Sequence, residues 1–181
     1  MAIKLSTLAI ILGAAMAWIN SYGLFKPAAF AAAARKFPRS IPMGGALMVA
    51  ATAWFVWNLS VENIADFEWL KEYLYILFVA VGIGSCFFVQ DFLGARGLAV
   101  IMLLLGKLMV DTARWQQTSW RLVITTWAYL LVVAGIWFTI SPWRLRDLFE
   151  WANESESRTR LLSGIRFAFG IFVIALGLLV Y

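Results

Sequence analysis

No histidine occurs in this chain of 181 residues, and its single cysteine, Cys86, stands in "GIGSCFFV". Zinc and haem sites draw on histidine or on clusters of cysteine, so neither is expected. Ser-His-Asp and Cys-His catalytic arrangements are excluded on the same ground. One cysteine closes no intrachain disulfide, so it says nothing about redox compartment. Cys86 reads as a small apolar packing residue rather than a reactive thiol, because free cysteine buries readily. Walker-type and dinucleotide glycine patterns are missing too. Glu154 and Glu156 are paired carboxylates, but in a Ser-rich polar stretch that reads as a solvated turn. No metal, cofactor or catalytic residue is expected, and the chain is not expected to be an enzyme.

Charge is also scarce. Asp, Glu, Lys and Arg make up 14% of the residues, against 63% hydrophobic and a mean hydropathy of +0.83. Soluble domains carry about 25% charged and roughly 45–50% apolar residues. A small fold leaves a large share of its surface outside, so the apolar excess must face something other than water. Lipid is the economical answer. The net charge of +5 then reads as basic residues meeting anionic headgroups on the cytoplasmic side, and nucleic acid is not an expected partner.

What is present is a series of long apolar runs. A crossing takes about 20 residues, within a range of roughly 17–25. Six stretches qualify, approximately 5–25, 43–61, 73–92, 94–112, 122–141 and 164–181. The start, "MAIKLSTLAIILGAAMAW", imitates a secretory signal through Lys4 and the Ala15-Met16-Ala17 triplet, yet it is read as a retained first span. The third and fourth spans are joined by "FLGARG", where Gly94 and Gly97 are expected to permit a tight reversal. Tyr181 falls where an interfacial aromatic belongs.

Lysine and arginine set the expected orientation. The first connection holds Lys26, Arg35, Lys36 and Arg39, the third Arg96, and the fifth Arg144, Arg146, Arg158 and Arg160, with Arg166 just inside the last span. Lys4, Lys71, Arg114 and Arg121 fall on the other side. The asymmetry places connections one, three and five in the cytoplasm and both termini outside. The second connection, "ENIADFEWLKE", is acidic and carries no weight here. Trp54, Trp57, Trp69, Trp115 and Trp120 fall at the outer ends, and Trp143 and Trp151 at the inner side. Indoles favour the headgroup level, so they read as two belts, with a ligand-stacking platform as the sharper alternative.

Two cytoplasmic connections are too long to be turns. In "SPWRLRDLFEWANESESRTRL", Ser141 is the expected N-cap and Pro142 the first helical residue. Leu145, Leu148, Phe149 and Ala152 recur at helical spacing, with Arg146, Asp147, Glu150 and Glu154 largely off that face. "KPAAFAAAARKFPRSIP" does the same more weakly, opened by Pro27 and closed by Pro38 and Pro42. Both are expected to be amphipathic surface helices, lying on lipid or against another protein. The expected fold is all-α: a single polytopic bundle over residues 1–181, six transmembrane helices in three hairpins.

Small residues recur at packing intervals: Ala9, Gly13 and Ala17 in the first span, Ala46, Ala50 and Ala53 in the second, Gly82 and Ser85 in the third, Gly170 and Gly177 in the sixth. Such faces let membrane helices approach closely, within the bundle or against a partner. Charges inside a span are costly and therefore candidates for function. Three exist: Asp91, Lys107 and Asp111. Lys107 lies one turn, roughly 6 Å, inside Asp111 and can snorkel outward to pair with it. The alternative is a substrate or proton site. No charge stands in the middle of any span.

The C-terminal third, "SPWRLRDLFEW…RLLSGIRFAFGIFVIALGLLVY" with Pro142-Trp143, Arg166, Gly170 and Gly177, resembles the YjeT-like small bacterial inner-membrane proteins. Their pattern is a two-helix hairpin with a Pro-containing basic surface segment. The match covers about residues 129–181. This chain departs from it by four further spans and a longer charged connection. The resemblance implies an accessory role near stomatin-type membrane assemblies and carries over no catalytic residue. The expected function is thus a non-catalytic accessory or assembly subunit of a larger inner-membrane complex. A small transporter or channel using Lys107 and Asp111 is the alternative.

Overall fold

The computed structural model describes residues 4–62 and 65–181. Among them are eight α-helices and no strand: α1 (Leu5–Phe25), α2 (Pro27–Lys36), α3 (Ile41–Val61), α4 (Lys71–Phe88), α5 (Leu93–Ala113), α6 (Arg121–Ile140), α7 (Trp143–Ala152) and α8 (Glu156–Leu179). Six of them, α1, α3, α4, α5, α6 and α8, are long and apolar enough to cross a membrane. Asn63 and Ile64 of the acidic second connection lie outside the described residues.

Local chemistry explains where the boundaries differ from expectation. The hydroxyl of Ser40 accepts the Met43 amide at 3.4 Å, so α3 starts at Ile41. Pro42 then sits in its first turn, where no N–H is required, and opens this helix instead of closing the surface segment before it. Ser155 caps α8 in the same way, accepting the Arg158 amide at 3.2 Å. The last helix therefore begins at residue 156, eight residues ahead of the apolar run expected from 164. The third span ends at Phe88, four residues earlier than its hydropathy suggests.

The reversal between α4 and α5 runs through Val89–Phe92 and turns on Phe92, whose φ of 54° is left-handed. Such a conformation costs a non-glycine residue roughly 1–2 kcal/mol. Burial of the Phe92 ring and the Arg39 guanidinium, 5.0 Å from its centroid, hold it there. Gly94 and Gly97 are not the turn residues that the sequence suggested. Both lie within α5, where an added Cβ would stand 2.3 Å from the Phe37 carbonyl oxygen and 2.8 Å from the Leu47 Cβ respectively. They serve close approach.

The chain forms two compact units. The first comprises residues 1–36, 105–133 and 146–181. Its tightest seam joins α1 to α8, running antiparallel: a Cβ on Gly13 would lie 2.6 Å from the Gly170 oxygen, and one on Gly177 3.0 Å from the Ser6 oxygen. Leu5, Leu8, Ala9, Met109, Ile124 and Val173 are buried together beside it, and the Trp127 and Phe169 rings meet edge to face at 5.3 Å. The same unit ties both short helices down. Arg35 of α2 donates to the carbonyl of Asn153, just past α7. The Asn153 amide donates to the Phe149 carbonyl at 2.8 Å and its oxygen accepts from the Thr159 hydroxyl at 3.2 Å.

The second unit comprises residues 37–104 and 134–145. Here Gly44 of α3 presses on the Leu93–Gly94 backbone, and Gly135 of α6 on the Ala99 oxygen. α4 is held to α3 by side chains: Gly82 faces Thr52, and the Phe55 and Phe78 rings lie 4.4 Å apart.

Candidate ion-pair site and packing faces

Lys107 lies six residues before the end of α5 and donates to the Asp111 carboxylate at 2.7 Å. The two side chains are 47% and 53% exposed, so the pair sits on the outside of its helix rather than in an enclosed conduit. Beside it, a shallow groove of about 370 Å³ is lined by Asp111, Arg114, Arg121, Thr125 and Tyr129, among others. Arg121 donates to the carbonyls of Arg114 and Gln116, at 3.3 and 2.8 Å, and so closes the α5–α6 loop. Next to that loop, the Tyr181 hydroxyl donates to the Trp120 carbonyl at 2.6 Å. Burial holds this phenol above its ordinary pKa. A carboxylate answered by its own lysine, two guanidiniums and two hydroxyls can receive a small ion or a headgroup at this lip. No nucleophile–base pair stands there.

Asp91 does not join this site. It is exposed in the α4–α5 reversal, and Arg96 donates to its backbone carbonyl at 3.4 Å. It precedes the start of α5 at Leu93, whereas Asp111 stands in the last turn of that helix. Among the described residues, no group of three or more His, Cys, Asp or Glu stands close enough to hold a metal.

The small residues divide into two kinds. Ala9, Gly13, Ala17, Gly82, Gly170 and Gly177 are buried, and Ser85 is half-buried with its hydroxyl on the Val81 carbonyl. Ala46, Ala50 and Ala53 are exposed. At about 100° per residue they share one stripe of α3 with Trp57, opposite the buried Gly44, Met48 and Ala51. Small size marks a close approach, but which side of α3 is covered depends on neighbours that its own periodicity does not name. The interfacial candidates Trp57, Trp69, Trp115, Trp120, Trp143 and Trp151 are all exposed. On α7, Leu145 and Ala152 are buried while Leu148 is exposed. There the Asp147 carboxylate, hydrogen-bonded to Arg146, raises that guanidinium further above its already high pKa.

The polar network that ties the exposed Arg35 to the buried Asn153 and Thr159 escaped the sequence reading. Its only signal was Asn153 between the apolar end of one helix and the Ser155 cap of the next. Comparisons with protein-family models, with curated proteins and with solved structures find no match to this chain.

Proposed function

We propose that the protein is a non-catalytic accessory or assembly subunit of a larger complex in the bacterial inner membrane. In this reading its six long helices form three hairpins, α2 and α7 lie on the cytoplasmic face, and both termini are outside. The observation that carries the proposal is the uncovered Ala46–Ala50–Ala53 stripe of α3. In lipid, helices associate through close contact of small residues, and this face has the required composition and stays exposed among the described residues. Sparse burial of α4, where only 6% of its most apolar window is inside, leaves a second wide apolar face. The resemblance to YjeT-like proteins supports the same role, with a stomatin-type assembly as the class of partner.

Gentle solubilisation should keep the protein in an assembly well above its own 20.3 kDa, and Ala50→Trp should disperse that assembly without lowering the subunit's own unfolding midpoint. A monodisperse monomer that conducts measurable flux in liposomes would overturn the proposal. A second reading, a small transporter or channel, is favoured by the polar groove beside Lys107 and Asp111. In that case Lys107→Met abolishes transport of the reconstituted protein while its fold persists.

A further inference from the structure

Along α8 an open groove of about 620 Å³ passes Ser157, Arg160, Leu161, Gly164, Ile165 and Ala168. It is polar at one end only. The Arg160 side chain is exposed and makes no hydrogen bond or ion pair among the described residues, whereas that of Arg158, two residues earlier, is committed to Glu154 and to the Trp151 carbonyl. From Arg160 to Ala168 is about 12 Å at 1.5 Å per residue, close to the roughly 15 Å depth of one leaflet. Arg160, Gly164 and Ala168 stand one above the other at intervals of four, with no further charge along the floor.

Gly164 is the second observation. A Cβ added there would meet only the Leu24 Cδ2 at 3.5 Å, an ordinary contact, while one added to Gly170 on the same helix would lie 2.8–2.9 Å from α1 backbone atoms. The fold does not require glycine at 164. Its missing side chain widens the groove floor instead.

We propose that this groove holds one anionic phospholipid, its phosphate on the Arg160 guanidinium and the Ser157 hydroxyl, one acyl chain along Leu161, Gly164, Ile165 and Ala168. An uncompensated cation above a wholly apolar floor complements a phosphate on a hydrocarbon chain and not an apolar helix face. The inference rests on the membrane reading and not on the assembly role.

The test is native mass spectrometry of the full chain, released from micelles doped with phosphatidylglycerol or with phosphatidylcholine. One phosphatidylglycerol is retained and phosphatidylcholine is not. Arg160→Gln weakens retention about tenfold, the scale of one lost contact to a charged group. Gly164→Leu does so with every charge in place, and Arg144→Gln, an exposed cation on α7, leaves retention unchanged. Inorganic phosphate in excess leaves the lipid bound. Equal retention in all variants, equal loss in Arg144→Gln, displacement by inorganic phosphate, or cross-linking of Gly164→Cys to another polypeptide would each overturn the proposal. Recovery in alkali-washed membranes is read on the same samples. Failure there sinks the membrane reading, while an embedded protein that holds no lipid sinks this inference alone.

Discussion

The α1–α8 seam and the α3–α4 seam solve one problem differently. Along α1 and α8, Gly13, Gly170 and Gly177 bring backbone against backbone, so that any added Cβ would meet a carbonyl oxygen or an amide nitrogen. Between α3 and α4 the approach is made by side chains, Thr52 over Gly82 and Phe55 beside Phe78. Lipid tails are as apolar as leucine, so helices gain little from burying one more aliphatic chain. What they gain comes from contact density, which glycine seams supply. The first seam is a fixed scaffold, and the second is a looser attachment that leaves α4 largely uncovered.

The sharpest way to break this comparison is Gly170→Ala. Its Cβ would stand 2.8 Å from the Gly13 oxygen, and backbone cannot swing aside, so a loss of about 3 kcal/mol is expected. Tryptophan fluorescence during unfolding in SDS would measure it. Gly82→Ala is the matched change on the other seam. There the obstacle is the Thr52 side chain, with its hydroxyl 2.1 Å from the added Cβ. Rotation about χ1 relieves part of that clash at a cost of about 1 kcal/mol. Equal losses at the two sites would erase the distinction.

Smaller effects sharpen it. Tyr181→Phe removes the hydrogen bond to Trp120 and should cost about 1 kcal/mol. The phenol's raised pKa in the folded protein means that folding retains a proton that the unfolded chain gives up. Stability is therefore whole below a pH of about 10 and falls as pH rises beyond it, and Tyr181→Phe should flatten that fall in the same assay. Ala50→Leu, on the uncovered stripe, should shift subunit stability by less than about 0.5 kcal/mol. A larger loss would mean that the stripe is covered within the chain.

Much of the fold was legible because helices long and apolar enough to span a membrane announce themselves through length and hydropathy alone. The limits expected for the first apolar run, 5–25, are those of α1. The errors fall where single side chains outvote the average. Ser155 starts α8 inside a polar stretch that hydropathy assigned to a loop. Phe92 adopts a left-handed turn that composition assigned to the neighbouring glycines, which were needed for contact instead. The site was legible in part: the pairing of Lys107 with Asp111 follows from four-residue spacing, whereas the groove beside it depends on Arg121 and Tyr129 from α6. Which small residues face inward was not legible, since Ala46 and Ala9 both stand in apolar runs of sequence yet have opposite surroundings in space.

The seam between α1 and α8 has a consequence for biogenesis. A ribosome delivers α1 long before its mate exists, and α2 to α7 are made in the interval. The glycine face of α1 must then wait without the α8 backbone that fills it. Closure of the seam becomes one of the last events of assembly, and the step most exposed to interruption during synthesis.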